Sequence, residues 1–129
     1  MGLMTGKKGV VLGVANDYSL AWYIAEMLHK EGAEIAFNHL PGEKMERRVR
    51  KLAEPLGSKL ILPCDVAKDE DVEQFMGKVT ETYDQIDFLV HAIAFANRDC
   101  LTNRFWETRR EDFKQAMDVS CYSLISVCQ

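Results

Sequence analysis

The strongest constraint on how this chain can fold is a repeated change in hydrophobic period. Short apolar runs that suit buried strands alternate with longer stretches whose apolar residues recur at helical spacing. Val10-Val11-Leu12 is a compact run that stops at Gly13. From Ser19 the spacing lengthens: Leu20, Ile24, Met27 and Leu28 fall on one helical face, and Gly32 is placed to cap it. EIAFN, residues 34–38, reads as a second strand, broken by Pro41 and Gly42. Met45, Val49, Leu52, Ala53 and Leu56 trace a second helix ending at Gly57. KLILP, residues 59–63, is the third strand, and Val72, Phe75, Met76, Val79 and Tyr83 form a third helical stripe. DFLVHAIA, residues 87–94, is the fourth strand, followed by a polar loop from Asn97 to Arg104. Thr108-Arg109-Arg110-Glu111 has capping-box spacing, and the helix it opens carries Phe113, Met117, Ser120 and Leu124 on one face.

Strands joined by helices of this length run parallel with right-handed crossovers. The predicted fold class is therefore α/β, a doubly wound parallel sheet of the Rossmann-like kind. The sequence ends at CYSLISVCQ, inside an amphipathic pattern without a stop signal. It is expected to be truncated after the fourth strand and the helix that follows.

Composition removes several function classes. A net charge of −4 argues against a nucleic-acid binder. No apolar run approaches the ~20 residues of a membrane span, and MGLMTGKKG is too polar for a signal peptide. Cys64, Cys100, Cys121 and Cys128 have no paired spacing, so reduced thiols in a cytoplasmic protein are expected, with no disulfide and no metal site.

Ligands of open parallel sheets bind beyond the carboxyl ends of the strands, where strand order reverses. The residues following Leu12, Phe37, Pro63 and Val90 are thus the candidates. Gly13 permits a sharp reversal. Ser19 can cap the next helix or offer its hydroxyl to a phosphate at the helix start, and Ala21 keeps that start small. On these residues alone the stretch reads equally as a nucleotide-binding turn or as a plain loop with a serine cap. The end of the second strand, Asn38-His39-Leu40, offers neither the Asp or Glu that holds a ribose 2′-hydroxyl nor the Arg that holds a 2′-phosphate, and leaves NAD and NADP both open. KMERRVRK, residues 44–51, reads as a solvated helix face more than a 2′-phosphate site. Asp65 is the best polar anchor for an adenine, with capping of the next turn as its structural alternative. His91, among apolar neighbours, reads as a buried, satisfied histidine rather than a catalytic base. No nucleophile constellation, P-loop or zinc signature is present.

GVANDYSLAWYIA (13–25), HKEGAEIAF (29–37), PCDVA (63–67), DFLVHAIAFA (87–96) and EDFKQAMDVSCYS (111–123) follow one another in order and at a spacing that resembles a known family. Together they resemble the NADH-dependent enoyl-acyl-carrier-protein reductases of bacterial fatty acid synthesis, a divergent branch of the short-chain dehydrogenase/reductases. The resemblance covers essentially the whole chain. Its most specific element is a G-x5-S-x-A turn in place of the G-x3-G-x-G of ordinary short-chain dehydrogenases.

The resemblance implies hydride transfer from NADH to a trans-2-enoyl thioester carried by acyl carrier protein. Residues 1–129 would be the N-terminal dinucleotide-binding part of a single domain. Gly13, Ala15, Ser19 and Leu20 would surround the pyrophosphate and neighbouring ribose, and Asp65 and Val66 would hold the adenine. Ala92, Ile93 and Ala94 would run along the cofactor, and Val119 would pack near its nicotinamide end. Leu40 stands where NADH-using relatives often carry Gln, so NADPH stays open. The family's H-S-I-G-F-A is His91-Ala92-Ile93-Ala94-Phe95-Ala96 here. The family's catalytic Tyr and Lys, spaced Tyr-x6-Lys, are expected beyond the last helix, so no catalytic residue is assigned and the 129-residue chain alone is expected to be inactive. A homotetramer is implied, pairing near the helix that starts at Arg109. Two alternatives stand beside this reading: a non-catalytic NAD(P)-sensing module of the same fold, and another short-chain reductase acting on a keto substrate.

Overall fold

The computed structural model describes residues 2–129. Four parallel strands form one sheet: β1 (Lys8–Leu12), β2 (Glu34–His39), β3 (Ile61–Pro63) and β4 (Phe88–His91), in the order β3-β2-β1-β4. Between them run α1 (Leu20–Lys30), α2 (Glu43–Ala53) and α3 (Asp69–Thr82). A short α4 (Arg98–Thr102) and a 3₁₀ turn (Phe105–Glu107) lead to α5 (Arg110–Met117). This helix continues through a π-helical turn (Asp118–Tyr122) into α6 (Ser123–Cys128).

Alternation along the strands divides the core in two. Val10, Leu12 and Ala36 pack with Val72, Phe75 and Val79 of α3 and with Val127 of α6. Val11, Ile35 and Phe37 point the other way, onto Ala21, Trp22 and Ala25 of α1 and Val49 and Ala53 of α2. Helices thus cover both faces, as expected of a doubly wound sheet. The reversal of strand order lies at β1 and β4, where Leu12 pairs with His91.

Several sequence expectations are corrected. The fourth strand stops at His91, and Ala92, Ile93 and Ala94 leave it as extended coil. The third strand begins at Ile61, not residue 59, and the second runs one residue further, to His39. Pro55 lacks an amide hydrogen and turns the end of the second helix into a 3₁₀ turn over Glu54–Leu56 before Gly57 (φ +73°). On α1 the buried residues are Ala21, Trp22 and Ala25, whereas Leu20, Ile24 and Met27 face outward. Small side chains let this helix lie close to the sheet, and Trp22 lies over Phe37 with ring centroids 6.5 Å apart. The capping arrangement falls one turn earlier than Thr108: the Glu107 carboxylate accepts from the Arg104 amide at 3.0 Å, and α5 starts at Arg110 without a side-chain cap. Phe113, Met117 and Leu124 are exposed, and Asp112, Ser123 and Val127 are the buried residues of the last helices.

Candidate functional site

The carboxyl ends of all four strands open into a cavity of about 390 Å³, and its position follows from how those ends are tied together. Gly13 leaves β1 with φ +112°, a conformation that L side chains rarely adopt. It passes so close to the chain beyond β4 that a Cβ there would lie 2.2 Å from the Ala92 carbonyl oxygen. The Ala92 amide in turn donates to the Leu12 carbonyl at 3.0 Å. Asn38, at the end of β2, joins the neighbouring strands: its Oδ1 accepts from the Gly13 amide at 3.3 Å and its Nδ2 donates to the Cys64 carbonyl at 3.2 Å. One neutral side chain, nearly fully buried, thereby fixes three strand ends in register.

The turn after Gly13 is organised by Ser19. Its Oγ accepts from the amides of Ala15 (3.0 Å) and Asn16 (3.2 Å). A serine hydroxyl has two lone pairs and one hydrogen, so with both lone pairs occupied it retains only the capacity to donate. Ser19 occupies the N-cap position of α1 but makes no side-chain cap bond, which corrects the serine-cap alternative. The first amides of α1, at Leu20 and Ala21, precede the first intrahelical donor at Trp22.

Beyond β3, the Asp65 Oδ1 accepts from the Ala67 amide at 3.0 Å, and Asp71 Oδ2 holds the Asp65 amide at 2.9 Å. This turn role leaves Asp65 Oδ2 without a hydrogen-bond partner among the described residues. Cys64 lies in the cavity wall, where burial, followed by the nearby Asp71 and Asp65 carboxylates, pushes its thiol up to about 12.

Nine of the eleven residues singled out from the sequence line this one cavity: Gly13, Ala15, Leu40, Asp65, Val66, Ala92, Ile93, Ala94 and Val119. Ser19 does not line it but stands one hydrogen bond behind Ala15. Leu20 is 79% exposed and does not line it either. The basic run of α2 lies outside as well: Lys44, Arg47 and Arg48 are exposed, and Arg50 pairs with Glu46 and Glu54. His91 is half-buried rather than buried. The Ser123 hydroxyl donates to the Val119 carbonyl at 2.7 Å, so the His91 Nε2–H donates to Ser123 Oγ, also at 2.7 Å.

Sequence reasoning missed three positioning residues. Asn38 offers no charge to a ribose or a phosphate, but an amide at a buried strand end signals a bridge between backbones. Ser120, in the π-helical turn, accepts from the Phe95 amide at 2.9 Å and donates to the Phe95 carbonyl at 3.2 Å, holding the segment that runs past Ala94. Ser123 fixes His91. No sequence pattern marks Ser123, because the apolar stripe of its helix faces outward. Tyr23 and Lys30 also have Tyr-x6-Lys spacing, but both are exposed on α1 and neither lines the cavity.

A family model described as enoyl-(acyl carrier protein) reductase matches residues 13–129. An enoyl-[acyl-carrier-protein] reductase [NADH] of Nostoc sp. is 42% identical over 126 residues, which are 96% of this chain and 49% of that protein. The crystal structure of the reductase of Anaplasma phagocytophilum, in complex with NAD, superposes with a TM-score of 0.92 at 44% identity over 98% of this chain and 48% of that one. That of Bacillus cereus, with NADP+ and an indole naphthyridinone, gives 0.93 at 43% identity over 99% and 50%. The chain spans about half the length of the curated relatives it matches.

Proposed function

The chain belongs to the enoyl-(acyl carrier protein) reductase family, and from that premise we propose that residues 1–129 are the dinucleotide-binding part of a cytoplasmic reductase of fatty acid elongation. When bound, NADH supplies the hydride that reduces the β-carbon of a trans-2-enoyl thioester on acyl carrier protein. The observation that carries this reading is the cavity at the β1–β4 reversal, bordered by the Gly13–Ser19 turn.

The residues fit such a cofactor. The bare α-carbon of Gly13 keeps the site narrow beside Ala92, where a methyl would intrude. The Ser19 O–H, held as a donor, and the open amides of Leu20 and Ala21 offer hydrogen bonds and a positive helix end to the pyrophosphate. Asp65 Oδ2 is available to an adenine amine beside the Val66 backbone. Ala92, Ile93 and Ala94 give an apolar wall along the cofactor, with Val119 near the nicotinamide. Ser120 and Ser123 position that wall from behind by holding Phe95 and His91.

No residue among 1–129 is assigned a proton-transfer role, and the chain by itself should bind NADH without reducing crotonyl thioester. The exposed face of Phe113, Met117 and Leu124 is proposed to pair with other copies in a tetramer, which light scattering measures directly.

Fluorescence titration with NADH tests the central claim. Saturable binding is expected, weakened about tenfold in Ser19→Ala by the loss of one phosphate hydrogen bond. No binding at millimolar NADH would refute the cofactor site, and turnover of crotonyl thioester by the 129-residue chain would refute the division of labour.

A further inference from the structure

We propose that Ser120 is a positioning residue on which dinucleotide affinity depends: its hydroxyl does for Phe95 what a neighbouring strand would do, and so keeps the cavity wall beyond β4 in place. The inference rests on the dinucleotide reading above and deepens it.

After His91 the chain leaves the sheet, yet Ala92, Ile93, Ala94 and Phe95 all line the cavity. Extended coil lacks the ladder of hydrogen bonds that fixes a strand beside its neighbours. The first fixed point of this wall is Ala92, whose amide donates to the Leu12 carbonyl at 3.0 Å. Ile93 and Ala94 make no main-chain hydrogen bond among the described residues. At Phe95 a single hydroxyl takes both main-chain groups: Ser120 Oγ accepts from the amide at 2.9 Å and donates to the carbonyl at 3.2 Å. A hydroxyl with one hydrogen and two lone pairs can do both. In an antiparallel ladder, a residue exchanges such a pair of bonds with the residue opposite. Further on, Asn97 Nδ2 donates to the Asp112 carboxylate, which Arg109 also holds. Between Ala92 and Asn97, Ser120 is thus the one tether among the described residues.

The local helix geometry points the same way. Ser120 lies in the π-helical turn Asp118–Tyr122, a conformation that is rare and concentrated at functional sites. The turn and the residue after it bring Val119 into the cavity wall, Ser120 onto Phe95 and Ser123 onto His91. Ser120 itself does not line the cavity, so it acts through Phe95 and touches no cofactor atom. Without the hydroxyl, the stretch from Ile93 to Ala96 would be held only at its two ends. Segments with few hydrogen bonds open at little cost in free energy. A binding wall has to be held within about 0.5 Å to keep its affinity, so local opening there should be read directly as weaker binding.

The test combines NADH titration by fluorescence with amide hydrogen exchange of the ligand-free protein, in wild type, Ser120→Ala, Ser120→Thr and Ser126→Ala. Ser126 is the control: it is half-buried on α6 and makes no side-chain hydrogen bond among the described residues. Ser120→Ala should weaken NADH about tenfold and speed exchange of the Phe95 amide by a similar factor, the value of one hydrogen bond. Amides of β1 and β4 should exchange as in wild type. Ser120→Thr keeps the hydroxyl and should stay within about threefold of wild type in both measurements, as should Ser126→Ala. Wild-type NADH affinity in Ser120→Ala overturns the proposal and leaves the cofactor site standing. Equal losses in Ser120→Ala and Ser120→Thr overturn it as well, because the hydroxyl would then not be the operative group. Faster exchange throughout β1 and β4 in Ser120→Ala, with NADH weakened as much by Ser126→Ala, would make Ser120 a packing residue only. Failure of the wild-type protein to bind NADH removes the site itself and the proposal with it.

Discussion

Replacing Gly13 with alanine tests whether the site depends on a close backbone approach or only on a flexible turn. Two costs are expected, and they can be separated. Gly13 has φ +112°, away from the left-handed well near +60°, so an L side chain there costs about 1–3 kcal/mol in backbone strain. The new methyl would also lie 2.2 Å from the Ala92 oxygen and 2.6 Å from its carbonyl carbon. Those are main-chain atoms, which cannot rotate away, so the end of β1 and the segment beyond β4 must separate by roughly 1 Å to restore normal contact. Forced overpacking of this kind costs about 1–3 kcal/mol, and the sum is roughly 2–6 kcal/mol out of a total stability of ~5–15. Gly57 supplies the control, because it has φ +73° and nothing within 4 Å of its added Cβ. Gly57→Ala should lose only about 1–2 kcal/mol, from strain alone. Urea unfolding reads both as shifts in midpoint at constant slope. NADH affinity should fall in Gly13→Ala and hold in Gly57→Ala. Equal stability losses in the two variants would show that the β1–β4 junction yields freely, and would refute the close-approach argument.

Three further outcomes are expected. Asn38→Leu keeps the volume but leaves the Gly13 amide and the Cys64 carbonyl unpaired, at a loss of about 2–4 kcal/mol by the same unfolding assay. Asp87 is held below the usual carboxylate range by the Lys8 amide, with help from Lys7, and Asp112 by Arg109 and then Asn97. Since their folded values lie below the unfolded ones, their contribution is complete above about pH 4 and disappears as pH falls below it; melting temperature from pH 6 to 2.5 should drop less steeply in Asp87→Asn/Asp112→Asn than in wild type. With its thiol pushed up to about 12, Cys64 should resist iodoacetamide at pH 8 while the exposed Cys121 and Cys128 are modified, as peptide mass spectrometry would record.

The order of strands and helices was legible because each apolar run or stripe has its own period. The location of the cavity was legible because parallel sheets place ligands at strand ends, so Gly13 and Asp65 could be named, whereas Ala92–Ala94 followed from the family resemblance. Helix orientation was less so. Hydrophobicity favoured Leu20, Ile24 and Met27 on α1, yet the sheet accepts Ala21 and Ala25, since close packing rewards small residues that no hydropathy scale ranks highly. On the last helices the apolar residues Phe113, Met117 and Leu124 turn outward and Asp112 and Ser123 turn in, because hydrogen bonds to Arg109, Asn97 and His91 satisfy those polar groups. The role of Ser19 was visible as chemistry but not as geometry: the residue serves the turn before it rather than the helix after it.

Asn38 and Leu40 stand two residues apart on the chain, yet they have different tasks, one fastening three strands and the other lining the cavity half-exposed. That separation bears on how such a protein can change over generations. A lineage could exchange the half-exposed residue at 40 and reshape the cavity wall, because nothing else in the sheet relies on its side chain for a hydrogen bond. Position 38 has no such freedom, since each alternative to an amide releases a main-chain group on one side or both. Innovation and constraint therefore sit two residues apart on one chain, and the cavity wall can drift while the frame behind it is inherited unaltered.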